Sequence, residues 1–254
     1  MIKRRCLILF VFYIVIILIG QYGKSKFTDV GIEFSRRLDD FEDRQVQLED
    51  GLESKKKYTQ HYQKYFDYYV STWDESTCII IGEPTGVYRS DSYSGIQEIR
   101  VTKVLKGENE IYCGQNIQVA GVDGFKWSEQ EKMTMYSGYC NLMQEGNSYM
   151  IFLHPYQISS GLYKEENVKL GKLGYEDYYV LSSGYFSYLN MDKDTKSVMP
   201  ENKEFVYRYG DIKQYEFFCK EKMILEIKNK IKHEIITRCM KKYSGSKNFA
   251  GNLH

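Results

Sequence analysis

The sequence predicts a mainly β domain, an antiparallel barrel or sandwich, with helical segments at both ends. Three observations predict it. Between Thr77 and Leu189 the chain carries short apolar runs of strand length, separated by Gly-rich turns and by no long helical pattern. The flanks change to helical spacing, with apolar residues recurring every three or four positions. The aromatics are mostly tyrosine, 24 of them, which suits strands whose side chains end at a wet surface.

Taken in order, the chain opens with a basic head, Lys3, Arg4 and Arg5, and an apolar run from Leu7 to Gly20. Residues 1–22 read as a signal anchor or transmembrane helix. Leu7 to Tyr22 spans roughly 24 Å at about 1.5 Å per residue. That is slightly short of a hydrocarbon core of roughly 30 Å, a gap that snorkelling Lys and Arg and a thinned bilayer can close. The alternative is a cleaved signal peptide, whose n-region and h-region are present but whose small-x-small cleavage pattern is missing around Ile19–Gly23. Positive charge favours a cytoplasmic N-terminus. Both readings place the bulk of the chain outside the cytoplasm, and the anchor reading makes it a single-pass protein of the cell membrane.

Residues 25–72 are polar and charged, with Val30, Phe34, Leu38, Phe41, Gln45 and Leu48 at the helical period. They predict a helical stalk lifting the domain off the bilayer. Residues 77–210 predict the β domain. Its strands are expected at Cys78–Gly82, Gly95–Gly107, Asn116–Ala120, Ser148–Leu153, Tyr178–Leu181 and Tyr185–Leu189, with 121–141 as a long surface loop. Ile80, Val101, Leu105, Tyr149, Ile151 and Leu153 are the expected core. Residues 212–243 predict one amphipathic C-terminal helix packed on the barrel, its interspersed lysines forming a solvated basic face. Residues 244–254 predict a disordered tail. The formal net charge of +1 gives no case for a nucleic-acid partner.

Three stretches carry a resemblance: Thr77-Cys-Ile-Ile-Ile-Gly-Glu-Pro-Thr-Gly86, Ile99-Arg-Val-Thr-Lys-Val-Leu-Lys-Gly107 and Leu142-Met-Gln-Glu-Gly-Asn-Ser-Tyr-Met-Ile-Phe-Leu153. Their succession resembles a group of exported bacterial proteins built on an OB-type barrel, similar to the netrin-like domain of tissue inhibitors of metalloproteinases. The resemblance covers residues 77–155, and its motifs are structural. It implies an OB-like antiparallel barrel. Those inhibitors chelate the target's metal through an N-terminal cysteine amine; this chain begins in a membrane segment, so protease inhibition does not carry over.

The chemistry-bearing residues form no known constellation. His61, His154, His233 and His254 are scattered without metal-ligand spacing, and no nucleophile elbow, P-loop or dinucleotide fingerprint is present. Catalytic, cofactor-binding and metal-binding residues are therefore all assigned as none. Thr237-Arg238-Cys239 resembles the sortase motif, but Cys239 lies late in a helical pattern and only the tail follows. Asp39-Asp40 and Glu165-Glu166 diverge in regular structure and read as solvated. Five cysteines follow the anchor. Cys113 and Cys140 bracket the insert and are the candidate disulfide, which would stabilise by roughly 3–4 kcal/mol in the chain-entropy model. The alternative is that all five are small buried hydrophobes. Cys219 and Cys239 cannot pair if 212–243 is one helix.

Two functions follow. The leading expectation is a non-catalytic, membrane-anchored extracellular binding or interaction module with a protein or peptide partner. The alternative is an exported hydrolase of unrecognised type. A pocket with three converging titratable groups favours the enzyme; an aromatic-rich groove favours binding.

Overall fold

A computed structural model describes residues 36–48, 66–68, 73–90, 95–107, 111–122, 124–128, 133–137, 140–155, 178–182, 186–202 and 204–244. The expected membrane segment 1–22 and the tail beyond Ser244 lie outside them. Among the described residues no helix is long and apolar enough to cross a membrane.

The fold is mainly β, with largely antiparallel sheets. Its elements in chain order begin with β1 (Arg36–Arg37), a 3-10 turn (Leu38–Phe41) and β2 (Gln45–Leu48), followed by β3 (Cys78–Ser90), β4 (Gly95–Lys106) and β5 (Asn116–Val122). Then come β6 (Gly124–Ser128), β7 (Met133–Ser137), β8 (Tyr149–Pro155), β9 (Tyr178–Leu181), β10 (Tyr188–Asn190) and β11 (Val206–Arg208). Two helices close the chain, α1 (Tyr209–Ile212) and α2 (Lys222–Ser244).

Followed from β3, the pairings run through β4, β5, β9 and β8 and return to β3. All are antiparallel except β5 with β9. Ile80 on β3 is thereby flanked by Val104 on one side and Ile151 on the other. The long strands β3 and β4 manage this curvature through register shifts at Ile79/Ile80, Ile81/Gly82 and Pro84/Tyr88. Pro84, which has no N–H for a ladder, sits at the last of them, where a bulge tolerates it. The expected core residues Ile80, Val101, Leu105, Tyr149, Ile151 and Leu153 are all buried. On β8 the run Tyr149–Leu153 is buried without alternation, because both faces are covered. Trp73 packs over Phe152, ring centroids 6.4 Å apart, and against Tyr243 of α2 at 6.3 Å.

Four expectations are corrected. The helical stalk over 25–72 is not a helix at 36–48: Arg36–Arg37 pairs with β3 at Val87–Tyr88, and Gln45–Leu48 lies between β11 and β7. The three-to-four spacing holds only from Leu38 to Phe41, both buried by a 3-10 turn; the strand after it buries Val46 and Leu48 in alternation and leaves Gln45 exposed. Phe41 then stacks on Phe125, centroids 4.4 Å apart, so the segment belongs to the domain. The insert 121–141 is not a loop; it contains the hairpin β6–β7, part of a second sheet ordered β11-β2-β7-β6. The C-terminal helix is not continuous from 212: α1 ends at Ile212, an irregular stretch crosses the cleft described below, and α2 starts at Lys222. Finally, Lys228 and Lys232, expected on a solvated face, are each 1% exposed. They fall in phase with Ile224, Leu225, Ile231 and Ile235, the buried stripe of α2.

Candidate functional site

The site grows from residues 141–149, the connection that leads into β8. Buried Gln97 on β4 holds it from below: its Nε2 donates to the Met143 carbonyl at 2.8 Å, and its Oε1 accepts from the Met143 N–H at 3.0 Å. The side chain thus stands in for a strand neighbour. Asn141 is tied as tightly. Its Nδ2 donates to the carbonyls of Ile212 and Lys213, each at 3.1 Å, and its Oδ1 accepts from the Leu142 N–H and the Tyr209 hydroxyl. Glu145 and Gly146 form the turn; Gly146 has φ +77, a left-handed conformation that glycine adopts freely.

Around this connection lies a cleft of about 370 Å³, within the range of ligand-sized sites. Gln144, Glu145 and Asn147 form one wall. Asn190 and Lys193 from the end of β10, and Lys213–Glu216 after α1, form the other. Asp39, on the 3-10 turn, reaches the cleft from the N-terminal segment. Two ion pairs clip that segment across: Arg37 to Glu145 at 2.5 Å, and Lys213 to Glu42. Gly86 lies beneath the first. A Cβ there would come within 2.5 Å of the Glu145 carboxylate and 2.9 Å of the Arg37 guanidinium, at φ +84.

The two buried ionisable groups of the cleft are both engaged. The Tyr149 hydroxyl accepts from the Gln144 N–H at 2.9 Å and from Asn190 Nδ2 at 3.4 Å, and burial raises its pKa above the ordinary phenol value. Glu216 accepts from the Asn190 N–H at 2.8 Å through Oε1 and from Lys232 Nζ at 2.7 Å through Oε2. Burial pushes its carboxyl above the usual range, against the pull of the Lys232 ammonium. Lys232 comes through from α2 and also reaches the Lys193 carbonyl at 2.7 Å and Asp194 at 2.9 Å. Burial disfavours charge on Asp194 too, but hydrogen bonds from Lys232 and His233 outweigh it and hold that carboxyl below its ordinary pKa.

The residues singled out in the sequence fall elsewhere. Cys113 is exposed, its thiol on the Thr102 carbonyl at 3.0 Å, whereas Cys140 is buried and bridged to Phe217. Each is a free thiol, so the candidate disulfide is not formed. Cys239 is a buried, inert thiol whose pKa burial pushes up to about 12. Cys219 precedes α2 and is buried with it. Asp39 and Asp40 diverge as expected, and only Asp39 reaches the cleft. His154 ends β8 on the Thr77 hydroxyl at 2.8 Å, and His233 pairs with Asp194. Glu165, Glu166, His61 and His254 lie outside the described residues.

Sequence reasoning missed the amides Asn141, Gln144 and Asn147. The signal was present: amides flanking buried Leu142 and Met143 and leading to buried Tyr149, where a plain turn needs only the glycine.

No family model matches the chain, and no curated protein is detectably similar to it.

Proposed function

We propose that this chain is a non-catalytic binding module, anchored in the cell membrane through residues 1–22 and facing the exterior, which holds an extracellular protein or peptide partner in the cleft between residues 141–149 and 190–216. The observation that carries this reading is the engagement of Tyr149 and Glu216. Each buried ionisable group of the cleft is held in place by fixed partners, so the cleft presents set hydrogen-bonding groups instead of a base poised against a nucleophile. The ring of pairings β3–β4–β5–β9–β8, with its single parallel pair, supports an OB-like barrel over residues 77–210. It also suits the proposed kinship with netrin-like exported proteins. The basic head and apolar run of the N-terminus support the address.

The second reading, an exported hydrolase, is favoured by one fact: Asp39, Glu145, Tyr149 and Glu216 all line the same cleft. The test is a photo-crosslinking amino acid at exposed Gln214 in the full-length chain on intact cells, with exposed Lys196 as the control site. A partner captured at 214 and not at 196, and released unaltered on incubation with the purified chain, is the expected result. Absence of a site-specific adduct overturns the module, and cleavage of the captured partner replaces it with the hydrolase.

A further inference from the structure

The cleft keeps hydrogen-bonding capacity of both signs, and on two of its side chains the signs stand together. Asn147 donates one Nδ2 hydrogen to the Gln144 carbonyl at 3.3 Å, and Gln214 donates one Nε2 hydrogen to the Asp211 carbonyl at 2.7 Å. Carbonyl oxygens only accept, which fixes how both amides face. Each is left with its oxygen and a second N–H, on one planar group, without a partner among the described residues. Single functions stand around them. Gln144 uses both Nε2 hydrogens on the Leu142 carbonyl and the Tyr209 hydroxyl and keeps its oxygen. Asn190 uses its oxygen on the N–H groups of Asp192 and Lys193 and keeps one N–H. The Tyr149 hydroxyl accepts two bonds and keeps its own hydrogen to donate. The charges of the lining cancel. Glu145 is paired with Arg37 at 2.5 Å, Glu216 with Lys232 at 2.7 Å and Lys213 with Glu42, while exposed Asp39 and Lys193 supply one of each sign.

We propose that the cleft clasps the main chain of an extended peptide segment, the carboxamides of Asn147 and Gln214 each taking the N–H and C=O of one residue. This rests on the reading of the cleft as the site of a protein or peptide partner. An extended residue turns its N–H and its C=O to the same side, as an antiparallel neighbour requires. A carboxamide with one N–H and one oxygen to give matches that pair. Gln97 makes the same clasp inside the fold, its oxygen and its NH2 meeting the N–H and C=O of Met143 at 3.0 Å and 2.8 Å. A polyol also offers both signs, but each hydroxyl carries them on one atom, whereas the main chain and the carboxamide carry them on two. Because the lining charges balance, the clasp is indifferent to the charge of the ligand's side chains.

The full-length chain in detergent micelles is titrated calorimetrically with capped Ser-Ala-Thr-Ala-Ser, with versions carrying Lys or Glu at the central position, and with maltose. The three peptides are expected to bind within about three-fold of one another, since single exposed charges contribute little, and maltose is expected not to bind. Replacing one peptide amide at a time by an ester removes an N–H and should weaken binding about five-fold at one position at least. Gln214→Met and Asn147→Asp should each weaken it by a similar factor. Matching thermal unfolding establishes that the variants fold, and Gln214, being exposed, carries the test if Asn147→Asp does not. An ester scan flat at every position overturns the clasp, as does an unchanged affinity in Gln214→Met. A ten-fold preference for the Lys or Glu peptide, or maltose binding as tightly as the peptides, also overturns it. Failure of every peptide while a partner is still captured at position 214 overturns the clasp and leaves the binding module. Cleavage of a peptide overturns the module itself.

Discussion

Lys232 is the side chain on which the wall behind the cleft depends. It meets Glu216, Asp194 and the Lys193 carbonyl from a position where its side chain is 2% exposed. Removing one partner of a buried pair leaves the other charge uncompensated, so Lys232→Met should cost about 3–5 kcal/mol. The pH dependence follows from the two carboxyls. Glu216, already raised by burial, loses its counter-charge and rises further. Its contribution is complete below an unfolded value of about 4.3 and is lost as pH rises through the folded value. Asp194 works the other way in the unmodified chain: its contribution is present above about 3.9 and is lost as pH falls through its lowered folded value. The variant, in which Asp194 keeps only His233 as a partner, should therefore become less stable as pH rises from about 5 to about 7. Urea midpoints across that range check this, and a flat or rising profile contradicts it. Gly86→Ala should separate Arg37 from Glu145, since a Cβ there meets both and the backbone is at φ +84; a loss of about 1–3 kcal/mol in urea denaturation is the expected outcome, and an unchanged midpoint contradicts it. Lys232 was legible only in part. Its phase with Leu225, Lys228, Ile235 and Cys239 put it on the buried stripe, but lysines are buried so seldom that composition argued for the surface. The acid that makes burial tolerable, Glu216, lies outside the helix and comes close only through the fold.

Among the elements, β8 was the most legible and the N-terminal segment the least. The apolar run Tyr149–Leu153 admits only a strand covered on both faces. Ile151→Ala should accordingly cost about 2–5 kcal/mol in chemical denaturation. The hairpin β6–β7 was hidden because its residues, Gly124–Ser128 and Met133–Ser137, are too short and too polar to show a period of two against the surrounding turn formers. Residues 36–48 misled for a different reason: a 3-10 turn spaces Leu38 and Phe41 by three, as a helix does, and the strand after it continues the illusion. The five thiols sort by the elements that carry them. Cys78 on β3, Cys140 on its bridge to Phe217, Cys219 in the stretch before α2 and Cys239 on α2 are buried, and only Cys113, on the turn before β5, is exposed. Iodoacetamide applied to the folded protein should modify Cys113 alone of these five, with the others reacting only in denaturant; mass spectrometry of the peptides reads the result, and protection of Cys113 would contradict it.

For the whole molecule, the correction at residues 36–48 changes where the domain begins. A chain starting at residue 33 should fold, whereas one starting at residue 49 loses β1, β2 and the Phe41–Phe125 stack; loss of its cooperative thermal transition is the expected outcome, and a stalk would have predicted no change. The proposed orientation carries its own expectation, that protease added to intact spheroplasts digests residues beyond 30; full protection would reverse it. The same pairings also set a timetable. Gln45 and Val46 are among the first described residues to leave the ribosome, yet their partners are Thr134 on β7 and Tyr207 and Arg208 on β11. An early strand is therefore satisfied late, and β2 must wait, unpaired and amphipathic, until most of the chain has been made. Non-local closure of this kind is slow, and a waiting edge is open to wrong partners. Synthesis and folding are thus coupled: the second sheet cannot close until β11 arrives, and an agent that shields β2 during that interval would raise the yield of folded chain without touching its final stability.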